Sequence, residues 1–282
     1  MRRNVVNGVY AVAQLKSSGL TDARIRKLVR SGDLIRLRQG WYAEAAANPA
    51  TRQAVASGGV LSCVSALEHY GVWVPPEARR THLRLPLRDR HHRRSCRGYG
   101  PMPALAASVD PLLVAVNCAA RCLSGEGFIA VSDSILYQQL GDIADLRGAV
   151  SSGPRQLTGL LDRCDGRAMS GTESIARVRL RSAGIAVAVQ PHIRGVGFVD
   201  LLIGDRVIFE CDSKGFHTGQ GNYQTDRTRD QCATAGGYIT LRATYEDVMF
   251  RWDQLLETVR TLVRLREHRW RAPRRANWER ET

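Results

Sequence analysis

The sequence predicts an α/β chain, α+β overall, from the order of its local signals. Near the N-terminus two short helical windows lead into a basic hairpin. Near the C-terminus a helix, a hairpin, a second helix and a strand follow one another. The 282 residues have room for two modest domains, each able to bury a core. These signals divide the chain into segments 1–45, 46–167, 168–265 and 266–282.

The first segment carries two helix signals and a hairpin signal. A short helix is predicted over residues 9–18. Thr21 is placed to cap a second helix over residues 22–31, and Gly32 is suited to end it. A basic hairpin follows over residues 34–43. Two helices and a hairpin in this order form a winged helix-turn-helix.

In this motif the second helix enters the major groove of DNA, and further basic side chains reach the phosphates. The predicted DNA-binding residues are the basic ones of the second helix and of the wing, Arg24, Lys27, Arg30, Arg36 and Arg38. A basic helix face is also typical of plain solvated surface, and winged helices also dock proteins. Both alternatives stay open at this point.

The same segment resembles the N-terminal domain of AbiEi-type antitoxins. The match is carried by the Gly19-Leu20-Thr21 turn, the basic helix after it, and Arg38-x-Gly40-x-Tyr42 in the wing. The resemblance implies a DNA-binding regulator or antitoxin, with a toxin or a second copy of the chain as its protein partner.

Segment 46–167 is predicted to be mixed and largely helical, with a basic loop. Helices are predicted over residues 61–70 and 111–123. Eight arginines lie between Arg79 and Arg97. That density suits a loop that contacts phosphates, and a flexible solvated loop is an equal alternative.

The cysteines do not form a recognisable metal-binding pattern. They number seven, they are scattered, and no C-x-x-C pair occurs. The neighbouring His91 and His92 have no cysteine or carboxylate arrangement beside them that would complete a site. The sequence therefore predicts reduced structural thiols and no zinc.

The strongest functional signal is a predicted hairpin over residues 198–212 with its turn centred on Asp205. Symmetric folding about the turn places Asp200 directly opposite Glu210, and strand alternation puts Asp212 on the face of Glu210. The odd-numbered apolar residues of both strands then face a core. Opposed carboxylates repel one another. Mg²⁺, which prefers oxygen ligands, is the simplest counter-charge, with Mn²⁺ as its substitute.

Residues 169–248 resemble the PD-(D/E)XK nuclease superfamily, and in particular proteins related to the very-short-patch-repair endonuclease. The match is carried by the order of elements and by Glu210-x-Asp212-x-x-x-Phe216-His217, which follows the pattern E-x-D-x-x-x-(Y/F)-H. It implies a restriction-endonuclease-like αβ sandwich with a mixed sheet, and Mg²⁺-dependent cleavage of phosphodiester bonds. The implied metal ligands are Asp200, Glu210 and the Cys211 carbonyl.

Further catalytic candidates surround the hairpin, each with a structural alternative. Glu173 completes the acidic cluster in related nucleases, but Ser170-x-x-Glu173 also fits a capping box at a helix start. Asp212 stands where the wider superfamily has a lysine, so the general base is unassigned, and it is also suited to cap the next turn. Lys214 is suited to stabilise the phosphate or to be ordinary surface. His217 assists cleavage in the related enzymes, and a structural histidine is its alternative.

The overall charge points to a polyanionic partner. Lysine and arginine number 41 against 27 acids, a net charge of +14, and a basic domain of this sort is the electrostatic footprint of nucleic-acid binding, with DNA as the expected partner. The basic tail, 266–282, is suited to lie along nucleic acid or to fray. No apolar run of about 18 residues and no signal-peptide core occur. We therefore expect a cytoplasmic protein without a membrane partner or a small-molecule cofactor.

Three functions compete on these signals. The leading one is a metal-dependent DNA endonuclease with a winged-helix DNA-binding domain, acting in phage defence or in a toxin–antitoxin-like system. The alternative is an AbiEi-like transcriptional regulator or antitoxin with a non-catalytic nuclease-like domain, against which the intact acidic set argues. The third is a ribonuclease, because an acidic metal cluster does not itself distinguish sugars.

Overall fold

The computed structural model of the chain describes residues 7–78, 80–89, 95–212, 220–271 and 278–279, with 220–226 and 278–279 described by their backbone alone. The fold is mixed α/β, as predicted. It divides into two compact units. The first comprises Met1–Phe128 with Gly141–Asp162, and the second comprises Ile129–Leu140 with Arg163–Thr282. Segment 1–45 and most of segment 46–167 therefore belong to one unit. Within the described ranges, no helix is long and apolar enough to cross a membrane.

The N-terminal part of the first unit has the predicted second helix and hairpin. Its elements are β1 (Val9–Ala11), α1 (Val12–Ser17), α2 (Asp22–Ser31), β2 (Ile35–Arg38) and β3 (Trp41–Ala43). The Oγ1 of Thr21 accepts the N–H of Arg24 at 3.3 Å, and Gly32 ends α2 at φ +83°. The helix predicted from residue 9 is wrong at its start. Residues Val9–Ala11 pair with β3 instead, because the sheet order β1-β3-β2 satisfies their backbone.

The rest of the first unit packs on that segment. Its elements are α3 (Pro49–Ala56), β4 (Val60–Leu61), α4 (Cys63–His69), β5 (Leu83–Arg84), α5 (Leu112–Cys122), the start of α6 (Gly125–Tyr137), α7 (Ile143–Ala149) and α8 (Arg155–Leu161). Val9 and Trp41 share a buried cluster with Val55 and Val60. The Oγ of Ser108 donates to the carbonyl of Val9 at 2.8 Å. The first segment is therefore anchored by residues well beyond position 45.

The second unit is built on a mixed sheet. Its elements are the end of α6, then α9 (Gly171–Ser182), β6 (Val187–Val189), β7 (His192–Ile193), β8 (Gly197–Phe198), β9 (Leu201–Ile203), β10 (Val207–Asp212), α10 (Gln220–Ala235), β11 (Ile239–Thr244), α11 (Tyr245–Phe250), α12 (Trp252–Arg264) and β12 (Trp278–Glu279). The central sheet has the order β11-β10-β9-β6, with β10 and β11 parallel and the other pairs antiparallel. A second sheet has the order β12-β7-β8. The order helix, hairpin, helix, strand is as predicted.

The strand predicted before the hairpin turn is broken at its start. Phe198 pairs with His192 in the second sheet, and the central strand β9 begins only at Leu201. Val199 packs with Leu202 and with Ala233 of α10, opposite to the face that simple alternation predicts. The reason is that the small β7–β8 hairpin takes Phe198 out of the central sheet, so the alternation restarts just before β9.

Candidate acidic site and basic helix

The β9–β10 hairpin places two carboxylates opposite each other. The pairing of Leu201 with Phe209 fixes an antiparallel register, and the next pair in that register is Asp200 with Glu210. The N–H of Asp200 donates to Oε2 of Glu210 at 3.4 Å. The predicted symmetry of the hairpin is therefore confirmed, with Asp200 just outside the hydrogen-bonded strand.

Asp200 is held by the chain on both sides. Its Oδ2 accepts the N–H of Cys211 at 2.8 Å, and its carbonyl accepts the N–H of Gln190 at 3.0 Å. In a strand the N–H and C=O of one residue point toward the same neighbour. The carbonyl of Cys211 therefore also points toward the side on which Asp200 lies, where the predicted metal set requires it.

Glu173 joins these carboxylates from the first turn of α9. The Oγ of Ser170 accepts the N–H of Glu173 at 3.2 Å, which is half of the predicted capping box. In such a box the N–H of the cap residue donates the return bond to the carboxylate. Here Oε2 of Glu173 accepts the N–H of Met169 at 3.0 Å and Nε2 of Gln190 at 2.9 Å instead. Glu173 is 4 % exposed. Its carboxylate serves the helix start through the bond from Met169 and is linked to the acidic cluster through Gln190.

Gln190 links the cluster, and the sequence does not point to it. An amide NH₂ carries two hydrogens. The Nε2 of Gln190 lies 2.9 Å from Oε2 of Glu173 and 3.3 Å from Oδ1 of Asp200, so it donates to both carboxylates. Its backbone has φ +49°, a left-handed conformation that is uncommon away from glycine. From the sequence, the position of Gln190 before Pro191 predicts a turn at most. Its bridging role depends on Glu173 and Asp200, which are distant from it along the chain.

The surroundings of the cluster disfavour the ionised forms of its three carboxyl groups. Burial raises the pKa of Glu173 to about 7, and the nearby charge of Asp200 adds to the rise. Burial, followed by the charge of Asp200, raises the pKa of Glu210 to about 7 as well. Burial also raises the pKa of Asp200, against hydrogen bonds that include the one from the Cys211 N–H. A cation bound to these oxygen atoms offsets both the cost of removing the carboxylates from water and their mutual repulsion. The donor set therefore fits Mg²⁺ or Mn²⁺.

Arg229 of α10 supplies part of the missing positive charge. One of its guanidinium nitrogens lies 3.7 Å from Oε1 of Glu210, longer than a hydrogen bond. The same side chain donates to the carbonyls of Val196, at 3.0 Å, and of Phe198. Arg229 is thus tied to the acidic site and to the loop beside it.

Of the other catalytic candidates, Asp212 pairs with an arginine of the neighbouring strand, and two lie outside the described residues. Asp212 ends β10 half-exposed, with Oδ1 3.6 Å from Arg242 on the neighbouring strand. Arg242 also donates to Asp230 at 2.6 Å. Lys214 and His217 lie outside the described residues.

Helix α2 and the wing present most of the predicted DNA contacts to solvent. The exposed ones are Arg24, Lys27, Arg30 and Arg36. On the opposite side of the helix, Ile25 is buried and packs with Leu34. Arg38 is different, because its half-buried guanidinium stacks 5.0 Å over the Trp41 ring and donates to the Gly59 carbonyl at 3.4 Å. These contacts give Arg38 a structural task in holding the wing.

The other basic segments are described only in part. In the arginine-rich stretch 79–97, residues 79 and 90–94 lie outside the description, as do 272–277 and 280–282 of the tail. Arg84, within the described part, is buried and makes a two-pronged ion pair with Asp110 at 2.6 and 2.7 Å. This arginine is therefore structural and is not available to phosphate.

Neither a scan against models of known protein families nor a search of curated proteins finds a match for this chain. The family resemblances stay expectations based on the motifs that carry them.

Proposed function

We propose that the chain is a metal-dependent DNA endonuclease with a winged-helix DNA-binding domain. The observation that carries the proposal is the convergence of the buried Glu173 with the half-buried Asp200 and Glu210, with Gln190 between two of them and with all three pKa values raised. Withdrawing three carboxylates from water at one place costs folding free energy. Such an arrangement is typical of a functional site more than of a structural one.

The proposed cation ligands are Asp200, Glu210 and the carbonyl of Cys211. When bound, Mg²⁺ supplies a positive charge that polarises a phosphate oxygen and lowers the pKa of a coordinated water. The donors are oxygen atoms, the two carboxylates are held by backbone hydrogen bonds, and the net negative charge needs compensation. These are the properties that a magnesium site requires.

Glu173 is the proposed proton acceptor. A catalytic base works best when its pKa lies near the working pH, and the pKa of Glu173 is about 7 in the metal-free chain. Gln190 orients this carboxylate through the 2.9 Å hydrogen bond. Arg229 shields Glu210 and holds the loop at Val196 and Phe198. Glu210 has a similarly raised pKa, but as a proposed metal ligand it is committed to the cation.

Helix α2 is the proposed DNA-reading element. Its basic side chains and Arg36 of the wing are exposed, while Ile25 fastens the opposite side to the core. Basic groups in this arrangement bind phosphates and release counterions, which gives affinity without sequence preference. A net charge of +14 supports DNA as the partner.

One observation favours the alternative, a DNA-binding regulator or antitoxin with a non-catalytic nuclease-like domain. Arg229 lies 3.7 Å from Glu210 and so offsets part of its charge without any metal. An acidic cluster that is neutralised within the protein is able to persist as a structural feature. The two proposals differ in whether cleavage occurs.

The deciding experiment incubates the full chain with supercoiled plasmid, single-stranded DNA and RNA, in Mg²⁺, in Mn²⁺ and without added divalent ion. The endonuclease proposal requires metal-dependent cleavage of DNA by the natural chain and its loss in Asp200→Asn, which preserves shape and removes charge. Asp253→Asn, an exposed acid in the same unit, is the matched control and should cleave normally. Inactivity of the natural chain on all substrates at high concentration favours the regulator. Cleavage of RNA alone identifies a ribonuclease.

A further inference from the structure

Four potential metal ligands meet in the first unit, far from the acidic cluster in sequence. They are Cys63, His82, Cys96 and Cys122, and one ligand atom from each lies within 4.8 Å of all the others. The Nδ1 of His82 is 3.2 Å from Sγ of Cys96, and Sγ of Cys122 is 3.9 Å from the same sulfur. Cys63, His82 and Cys96 are buried, and Cys122 is exposed.

These separations match a tetrahedral zinc shell. With Zn–S of about 2.3 Å and Zn–N of about 2.0–2.1 Å, tetrahedral ligand atoms lie about 3.5–3.8 Å apart. The separations of 3.2 and 3.9 Å bracket that range, and the largest, 4.8 Å, closes by about 1 Å. A disulfide between Cys96 and Cys122 requires sulfurs about 2.05 Å apart, well below the 3.9 Å that separates them.

The backbone around the cluster is arranged to bring the ligands together. Cys63 begins α4 with φ +54°, a strained left-handed conformation that persists where the surroundings impose it and that often marks functional sites. The N–H of His82 donates to Oγ of Ser65 at 2.9 Å, and its carbonyl accepts the N–H of Ser62 at 3.0 Å. The N–H of Cys96 donates to the carbonyl of Leu83 at 2.8 Å. The flanks of three ligands are thus bonded to one another without the metal.

We propose that Cys63, His82, Cys96 and Cys122 bind one structural Zn²⁺. Thiolate and imidazole ligands select zinc over the hard cations suited to the acidic cluster. Four protein ligands complete the shell and leave no position for a substrate, which makes the ion structural and not catalytic. The ion joins the start of α4, the residue before β5, the end of the arginine-rich stretch 79–97 and the end of α5. It therefore fastens the middle of the chain, where the elements themselves are short.

Charge in the neighbourhood is compatible with this ion. Zn²⁺ with three thiolates and a neutral imidazole carries one net negative charge. A cleft of about 650 Å³ beside the cluster is lined by His82 and Cys122 together with basic side chains. The arginines of that lining are Arg80, Arg97 and Arg121. They offset the negative charge of the complex.

One contact must change when zinc binds. The Nε of Arg80 lies 3.2 Å from Nε2 of His82, an arrangement in which Nε2 accepts a hydrogen bond and Nδ1 carries the proton. Zinc at Nδ1 reverses the tautomer, so Nε2 carries the proton and no longer accepts. Arg80 is exposed and is free to turn its guanidinium away from the ring.

The test is the metal content of the full chain, purified without chelator. We expect about one zinc per chain, as a folded four-ligand site holds a single ion. Cobalt(II) added to the zinc-depleted chain should give the visible and charge-transfer bands of a tetrahedral thiolate complex. Cys122→Ser should lose the zinc and the cobalt bands. Cys232→Ser removes an exposed thiol from the second unit and should keep both. Asp200→Asn should also keep the zinc, because the proposed magnesium site is separate.

Three results overturn the proposal. The first is a natural chain without zinc that takes up no cobalt in reduced form. The second is an intact mass lower by two hydrogen atoms, with Cys96 and Cys122 joined by a disulfide in one non-reduced peptide pair. The third is full zinc retention in Cys122→Ser. Should that variant fail to fold, the zinc content and the cobalt spectrum of the natural chain still decide the matter.

Discussion

Helix α2 and the β9–β10 hairpin differ in how far their charged groups are exposed to water. The basic side chains of α2 are exposed, so water solvates them and dissolved salt screens them. The carboxylates of Asp200 and Glu210, with that of Glu173 beside them, are largely removed from water, and their pKa values are raised. The first region is therefore suited to attract a polyanion by charge alone. The second becomes fully ionised near neutral pH only when a cation compensates it.

The largest effect is expected at the acidic cluster. Glu173→Gln removes the proposed proton acceptor but keeps its size and one oxygen to accept the bonds from Met169 and Gln190. Cleavage in Mg²⁺ should fall by about 10²- to 10⁴-fold, the usual loss when such a group is removed. DNA affinity, measured by fluorescence anisotropy, should stay unchanged.

Asp212→Asn is the matched control for that loss. Asp212 lies 3.6 Å from Arg242 and is half-exposed, so its replacement should change cleavage much less than Glu173→Gln. Equal losses in both variants would place Asp212 in the catalytic site and contradict the assignment of the proton acceptor to Glu173.

Charge reversal on α2 should give the next largest effect. Arg24→Glu combined with Lys27→Glu removes two proposed phosphate contacts, so the slope of log affinity against log salt should fall by about 1.8. Metal-dependent thermal stabilisation should not change. Arg155→Glu with Arg260→Glu makes the same change in net charge at two other exposed positions and is the control. Comparable weakening in both pairs would show that net charge, and not α2, governs binding.

The pH dependence of stability should come from the acidic cluster and not from helix α2. The pKa values of Glu173 and Glu210 rise from 4.5 to about 7 on folding. Between these values the folded chain keeps protons that the unfolded chain has released. Stability should therefore fall as pH rises, by at most about 1.4 kcal/mol per pH unit for each carboxyl.

This fall is measured by denaturant unfolding from pH 4.5 to 8 without added metal. Glu210→Gln should make it shallower, and Mg²⁺ should restore stability above pH 7 in the natural chain alone. Charge reversal on α2 should leave the slope as it is, since those side chains are exposed. A slope that Glu210→Gln does not alter would mean that the carboxyls titrate normally.

The smallest effect is expected in the β2–β3 hairpin, where replacing the exposed arginine and the half-buried one should have different consequences. Arg38→Ala should destabilise the chain by about 1 kcal/mol, because it removes the stacking on Trp41 and the bond to Gly59. Arg36→Ala should change stability by less than about 0.5 kcal/mol and weaken DNA binding instead. Thermal unfolding and anisotropy on the same samples check both. A destabilisation by Arg36→Ala as large as that by Arg38→Ala would remove the distinction.

Features that depend on neighbours along the chain were predictable. The cap at Thr21, the left-handed Gly32 and the β2–β3 hairpin follow from local rules for helix ends and turns, and all are present. The register that sets Asp200 against Glu210 follows from strand alternation and a short turn. Where a neighbouring element competed, the local rules failed. Val9 joined a sheet instead of starting a helix, and Val199 left its predicted strand.

The partners of the acidic site and the cysteine–histidine cluster were decided only by tertiary structure. Gln190 bridges Glu173 and Asp200, which lie on separate elements, and no spacing rule connects an amide to two such carboxylates. Cys63 and Cys122 belong to different helices and meet His82 and Cys96 without any C-x-x-C signal, so the sequence predicted no zinc where the fold gathers four ligands. The physical reason is the same in both cases. Alternation, caps and turns act over a few residues, whereas the approach of distant side chains is fixed by the packing of whole helices and strands around a core.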